Sequence, residues 1–222
     1  MRRIFSMILI IGLIATLTGT GINAYFNDTE TTSNNTFTAG TLDLKLSHSS
    51  AGPWTDGVAG TWTLSNMKPG DQTSSRSVFF KNFGTITSRT MTVACNYIVI
   101  EETPQTEADT DPNTDLHPDE MAKSMIIAMI RYKNDEVDID CFTGYDSWTL
   151  ITKNDWKIND ANGDGKISLY ELKIDPLINL PSPDLEPNKE TQLDMVIKFD
   201  ETAGNDFQGD TFDLEMVFTL NQ

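Results

Sequence analysis

Residues 212–220, close to the C-terminus, read Phe-Asp-Leu-Glu-Met-Val-Phe-Thr-Leu, with apolar and polar residues in near-perfect alternation. In an extended chain successive side chains point to opposite sides, so the apolar residues of this stretch would share one face. Those residues are Phe212, Leu214, Met216, Phe218 and Leu220. The stretch therefore predicts a strand that packs one face on a core and turns the other to solvent.

Similar short stretches, separated by turn residues, occur along the chain upstream of this strand. They are Thr41–Leu46, Ser77–Asn82, Thr85–Ile100, Ser124–Tyr132, Asp135–Phe142 and Gln192–Phe199. Residues 124–132 fit a helix or a strand by periodicity alone, and their β-branched content favours a strand. Strands without alternating helices predict an all-β antiparallel sandwich.

The region between the early and the late strands has a different composition. Glu101–Asp119 is rich in Pro, Thr, Asp and Glu and lacks apolar periodicity, which indicates a solvated loop. Pro118 followed by two acidic residues is typical of a helix start. We therefore predict one sandwich domain over residues 39–222, with a small, partly helical insertion at about residues 101–185.

The N-terminus predicts a secretory signal peptide over residues 1–24. Arg2 and Arg3 supply the positive charge, Ile4–Leu17 is almost wholly apolar, and small residues follow before Ala24. The apolar run is shorter than the ~20 residues of a membrane-spanning helix. An uncleaved N-terminal anchor is the alternative. In both cases the predicted location is secreted, extracellular or at the cell surface. A cleaved signal peptide would in addition make signal peptidase a partner.

The charge of the chain restricts its partners. The 222 residues include 16 basic and 33 acidic side chains, a net charge of −17, and removing Arg2 and Arg3 with the signal peptide leaves 14 against 33, or −19. Such a chain repels nucleic acid and anionic lipid. The two cysteines, Cys95 and Cys141, would pass through an oxidising compartment, so a disulfide and two free buried thiols are both open.

Residues Asp160–Glu171 match the twelve-residue calcium loop of EF-hand type. Calcium takes hard oxygen ligands, and the loop offers them at positions 1, 3, 5, 7, 9 and 12. These ligands are Asp160, Asn162, Asp164, Lys166 through its backbone carbonyl, Ser168 and Glu171. We expect a single Ca²⁺ that acts as a structural clamp, since only one such loop is visible. The alternative is a Gly/Asp/Asn-rich turn that binds no metal.

Several segments resemble the TasA/camelysin family of secreted proteins. The resemblance starts with Ala-Tyr-Phe-Asn-Asp-Thr-Glu at 24–30 and Asn-Thr-Phe-Thr-Ala-Gly-Thr-Leu-Asp-Leu at 35–44. It continues in Leu64–Asp71 and returns more loosely in Ile197–Asp200 and the terminal strand. The middle of the chain, with its calcium loop, departs from the family pattern.

This resemblance implies a jelly-roll sandwich that polymerises into fibres of a biofilm matrix, or into bundling pili in archaeal relatives. Residues 25–38 would then fill a groove in the next subunit as a donor strand, so the main partner would be the protein itself, besides other matrix or surface proteins. The alternatives for Tyr25–Thr38 are a disordered terminus or the domain's own first strand. The segment also contains two acceptor sequences for N-glycosylation, at Asn27 and Asn34.

The resemblance also implies an enzyme as an alternative, because camelysin relatives are described as metallo-endopeptidases. The two histidines, His48 and His117, stand alone, and no His-Glu-x-x-His sequence is present. We therefore expect a structural subunit and not an enzyme. A third hypothesis is a calcium-dependent carbohydrate-binding module, which would use some of the four tryptophans: Trp54, Trp62, Trp148 and Trp156.

Overall fold

The computed structural model describes residues 41–62, 66–101, 113–183 and 191–222, most of which lie in or between antiparallel strands. The predicted signal peptide at 1–24 and donor segment at 25–38 lie outside these residues. The strands are β1 Leu44–Ser47, β2 Arg76–Asn82, β3 Thr90–Ile100, β4 Met125–Lys133, β5 Asp138–Asp140, β6 Tyr145–Asp146, β7 Ile151–Thr152, β8 Leu177–Pro181, β9 Thr191–Phe199 and β10 Thr211–Asn221.

The strands form two sheets. The large sheet has the order β1-β2-β9-β4-β5-β6-β7, and the small sheet has the order β10-β3-β8. All of these pairs are antiparallel. The prediction of an all-β antiparallel sandwich is confirmed.

Alternation of apolar residues builds the core between the sheets. In β9 every second residue is buried: Thr191, Leu193, Met195, Ile197 and Phe199. In β3 the buried face consists of Met91, Val93, Cys95, Tyr97 and Val99. Burial of such a face removes apolar area from water at about 25 cal/mol per Å², which is the main favourable term in folding.

Strand β4 explains why residues 124–132 fit two patterns in the sequence. Its buried residues fall at 125 and 127 and then at 130 and 132, so the period of two slips by one residue. The register with β9 shifts at the same place, between Ile127 and Met129. A β-bulge inserts one extra residue and changes the phase of the strand. The region predicted as an insertion thus also contributes β4, β5, β6 and β7 to the large sheet and β8 to the small sheet.

Two short helices complete the described fold: α1 at Pro118–Ser124 and α2 at Leu169–Ile174. Helix α1 begins with Pro118, has Asp119 and Glu120 in its first turn and Lys123 in its last. This is the charge order that the helix dipole favours. The helix start predicted at Pro118 is confirmed, and short 3₁₀ turns lie at Thr114–Leu116 and Asn154–Trp156.

Both cysteines are buried with free thiols. The Cys95 thiol donates to the carbonyl of Leu169 at 3.3 Å, and burial raises its pKa to about 12. Burial also raises the pKa of Cys141. Of the two states that the sequence left open, the structure has the free thiols. Within the described ranges no helix is both long enough and apolar enough to cross a membrane.

Candidate functional site

The acidic loop, Asp160–Glu171, begins with a tight turn organised by Asp160. One carboxylate oxygen of Asp160 accepts hydrogen bonds from the backbone N–H of Gly163 at 2.7 Å and of Asp164 at 3.2 Å. The other oxygen accepts from Gly165 N–H at 2.8 Å. Asn162 Oδ1 accepts from Asp164 N–H at 2.8 Å. Three of the predicted oxygen ligands therefore belong to one exposed turn.

Two glycines make this turn possible. Gly163 and Gly165 have φ values of +77° and +82°, in the left-handed region that glycine adopts without steric cost. Open space surrounds both, since a Cβ at either position would meet no atom within 4 Å. The turn is therefore exposed, with no side chain packed against either glycine.

The second half of the acidic loop caps helix α2. Ser168 and Glu171 form a capping box, in which Tyr170 N–H donates to Ser168 Oγ. Glu171 Oε2 accepts from Ser168 N–H at 3.0 Å and from Ser168 Oγ at 2.5 Å. The Glu171 side chain is fully buried, and its other oxygen, Oε1, has no hydrogen-bond partner. A buried carboxylate oxygen normally has a partner, so this atom requires an explanation.

The acidic loop is attached to the large sheet. The carbonyl of Ile167 accepts a hydrogen bond from Ile127 N–H of β4 at 2.8 Å, and Ser168 forms an isolated β-bridge with Ile126. Lys166 forms an ion pair with Asp200, which follows β9. The loop is thus held against the two central strands of the sheet.

The six predicted ligands are not all gathered around one point. Asp160, Asn162 and Asp164 share the exposed turn, whereas the Glu171 carboxylate faces Ser168. Among the described residues no group of three or more His, Cys, Asp or Glu side chains is placed to hold a metal ion. In this structure the loop is pre-folded, but its two halves are not closed on each other.

A second candidate site is a groove between β10 of the small sheet and β1 and β2 of the large sheet, here called the β10 groove. It has a volume of about 700 Å³. Its lining comes from β1, β2, the loop at 56–62 and β10, and includes Leu44, Leu46, Val58, Trp62, Val78 and residues 212–218.

Apolar and polar residues alternate in β10 as they do in a core strand, but its apolar side chains are less buried than those of a core strand. Phe212, Leu214, Met216, Phe218 and Leu220 point towards the core, yet each is only partly buried. The ring of Phe218 lies 4.6 Å from that of Phe80, between centroids. Among the described strands β10 pairs only with β3, so its other edge has no strand beside it. An exposed edge of this length is a template for pairing with a further strand.

Sequence reasoning identified the apolar face of β10 but not the loop residues opposite it. Val58 lies in a Gly-rich loop, and no local sequence pattern indicates that Val58 or Trp62 lines a groove. Trp62 is held there by a hydrogen bond from its Nε1 to the carbonyl of Met195 at 2.9 Å.

The other residues considered from the sequence lie apart from one another. His48 lies next to Thr61, with 3.0 Å between Nε2 and Oγ1, whereas His117 precedes α1. Trp156 is a core residue, Trp54 contacts the ring of Phe83, and Trp148 is exposed. These positions supply neither a histidine pair nor a tryptophan platform within the described residues.

A family model described as camelysin metallo-endopeptidase matches residues 1–222, the whole chain, whereas a search of curated proteins finds no match. The expectation that the chain is not an enzyme is contradicted, because the family carries a peptidase description. That expectation rested mainly on the absence of a His-Glu-x-x-His sequence. Its absence does not exclude a zinc site built from other ligands. No described residue can be assigned to a zinc centre. The family is one of surface or secreted proteins. The chain belongs to the camelysin metallo-endopeptidase family.

Proposed function

We propose that this protein is a secreted structural subunit that polymerises into extracellular fibres or pili, with residues 25–38 of one copy paired along β10 of the next. The observation that carries the proposal is the half-buried apolar face of β10 beside an open groove. A strand added at this edge would satisfy backbone groups of β10 and cover its apolar side chains.

The dimensions of the donor segment suit this role. Residues 25–38 number 14, and fully extended they would reach about 46 Å, against about 36 Å for the 11 residues of β10. The segment is rich in threonine, which favours strands. Tyr25, Phe26 and Phe37 are its aromatic residues, and they would supply apolar contacts near its two ends.

Electron microscopy of the secreted mature protein, with and without residues 25–38, tests the proposal. We expect fibres from the complete mature chain and monomers from the shortened one. A groove variant, Leu214→Glu, places a charge on the inward face of β10 and should also abolish fibres. Thr219→Glu adds the same charge on the outward face and is the matched control, which should polymerise. Soluble monomers in every sample, or fibres that survive the deletion, would refute the proposal.

The family match favours a second function, proteolysis. The metallo-endopeptidase description applies to the family model over the whole chain. Hydrolysis of casein by the purified protein, measured with and without a metal chelator, tests this candidate. Cleavage that the chelator abolishes and added zinc restores would support it, whereas an inactive protein in the presence of zinc would contradict it. Polymerisation and proteolysis are separate properties, so each result can be interpreted alone.

A further inference from the structure

We propose that the acidic loop, Asp160–Glu171, binds one Ca²⁺ ion and that this ion fastens helix α2 to strand β4 of the large sheet. This inference does not depend on polymerisation. It concerns how helix α2 is held to the large sheet.

The ligand chemistry of the loop suits calcium. Asp160, Asn162 and Asp164 present oxygen atoms on an exposed turn, and Ser168 and Glu171 present oxygens at the start of α2. Calcium takes six to eight hard oxygen ligands in a flexible arrangement, whereas magnesium requires a near-ideal octahedron and retains its waters. Three carboxylates and no nitrogen or sulphur ligand also disfavour zinc.

Glu171 supplies an observation that is independent of the acidic turn. Its side chain is fully buried, and Oε1 has no partner, although Oε2 is held by Ser168. A buried carboxylate oxygen is unfavourable without a hydrogen bond or a cation. Glu171 is the twelfth residue of the loop, the position that closes a calcium site with both carboxylate oxygens. An ion in the loop would therefore satisfy the atom that the protein leaves unpaired.

The movement that the ion requires can be localised. Ser168 holds the Glu171 carboxylate in place, whereas the turn at 160–165 is exposed and has open space around its glycines. We infer that the turn closes onto Glu171 when the ion binds. Closure would bring together the two halves of the loop that are apart in this structure.

The attachment of the loop distinguishes it from loops that occur in pairs. Ile167 and Ser168 bridge to Ile127 and Ile126 of β4, so the sheet occupies the place that a second loop would take. Beyond the loop, Leu169 and Leu172 of α2 are buried in the core. Ion binding should therefore stabilise the whole domain and not only the loop.

Thermal unfolding of the complete secreted chain, in 10 mM Ca²⁺ and in chelator, tests the inference. For a dissociation constant of about 0.1 mM we expect the melting temperature to rise by roughly 5–10 °C with calcium. Calorimetric titration should give one Ca²⁺ per chain. Magnesium at the same concentration should raise the melting temperature much less.

The decisive variant is Asp160→Asn with Asp164→Asn, which keeps oxygen acceptors in the turn but removes two charges. We expect at least a tenfold loss of calcium affinity and little response to chelator. Asp135→Asn with Glu136→Gln is the matched control, because it removes two exposed carboxylates outside the loop and should respond as the wild type does. If the loop variant fails to fold, Glu171→Gln replaces it. A wild type that binds no calcium, a response equal to that of magnesium, or a loop variant that responds normally would overturn the inference.

Discussion

Strands β9 and β10 have similar sequence patterns and opposite environments. Both alternate strictly enough to be predicted from sequence, but β9 lies between β2 and β4, whereas β10 lies at an edge. The inward residues of β9 are almost fully buried, and those of β10 are only partly so. Alternation therefore predicts which face of a strand points to the core, but not how completely the domain covers that face.

The largest effect should come from removing the same side chain in each strand. Leu193→Ala in β9 should cost about 2–5 kcal/mol of the free energy of unfolding, because it leaves a cavity in a closed core. Leu214→Ala in β10 should cost roughly 1–2 kcal/mol, since Leu214 is already partly in solvent. Urea unfolding of the unpolymerised protein measures both. Equal losses would show that β10 is as well packed as β9.

A second prediction compares β10, an edge strand of the small sheet, with β7, an edge strand of the large sheet. There the edge strand β7 has only two residues, and Asp146 stabilises the turn before it. The buried Asp146 carboxylate accepts from the backbone N–H of Asp138 at 2.8 Å, of Trp148 at 3.1 Å and of Thr149 at 3.2 Å. Short, locally closed edge strands resist pairing with other chains, unlike the long edge of β10.

Asp146→Asn should lower the free energy of unfolding by about 1–3 kcal/mol at pH 7, because it removes a charged acceptor from these bonds. Burial alone would raise the pKa of Asp146, but the hydrogen bonds outweigh it and hold the pKa below its ordinary value. The contribution is therefore present above about pH 4 and is lost as the pH falls through the folded-state pKa. The difference between variant and wild type should shrink in acid, and a constant difference from pH 7 to pH 3 would contradict this origin.

Hydrogen exchange sharpens the comparison if fibres form. Amides of β10 should exchange more slowly in fibres than in monomers, by about tenfold for each 1.4 kcal/mol that the added strand contributes. Amides of β9 already pair on both sides with β2 and β4 and should change less. Mass spectrometry of peptic fragments separates the two strands. Equal protection of both on polymerisation would place the subunit contact elsewhere.

The smallest effect concerns β3, the neighbour of β10. Tyr97 lies opposite Leu214 in the register, and its hydroxyl donates to Asp119 Oδ1 at 2.7 Å. Tyr97→Phe should cost about 0.5–1.5 kcal/mol, since only the hydroxyl is lost and the ring keeps its contact with Phe212. Tyr132 in β4 is fully buried, and its hydroxyl donates to the carbonyl of Pro181. Tyr132→Phe should therefore lower the free energy of unfolding by at least as much. A larger loss at Tyr97 would contradict this ranking.

The long strands could be predicted because apolar and polar residues alternate along a strand that has one face buried and the other exposed. Strand β4 was harder, since its bulge between Ile127 and Met129 shifts the phase and imitates a helical pattern. Strands β6 and β7 were not predicted, because two residues are too few to show a period. Their position depends on contacts such as those of Asp146, which link residues by tertiary hydrogen bonds.

For the candidate sites, too, features with a local sequence pattern could be predicted, whereas features that depend on tertiary contacts could not. The acidic loop could be recognised because its predicted ligands fall within twelve consecutive residues, and Gly163 and Gly165 adopt the positive φ values of its turn. Calcium binding by the loop stays a prediction. The attachment of the loop to Ile127 could not be predicted, since that contact joins segments 40 residues apart. The peptidase description of the family could not be derived from two isolated histidines; the family resemblance gave it as an alternative, and the whole-chain match supports it.

The free thiols of Cys95 and Cys141 have a consequence for where the protein can work. They are the only two cysteines of the chain, and both are enclosed in the folded domain with no covalent link between them. The raised pKa of each keeps the sulphur protonated and unreactive at neutral pH. The domain therefore requires no oxidant and no disulfide-forming machinery to mature. Its stability should be the same in air and under anoxia.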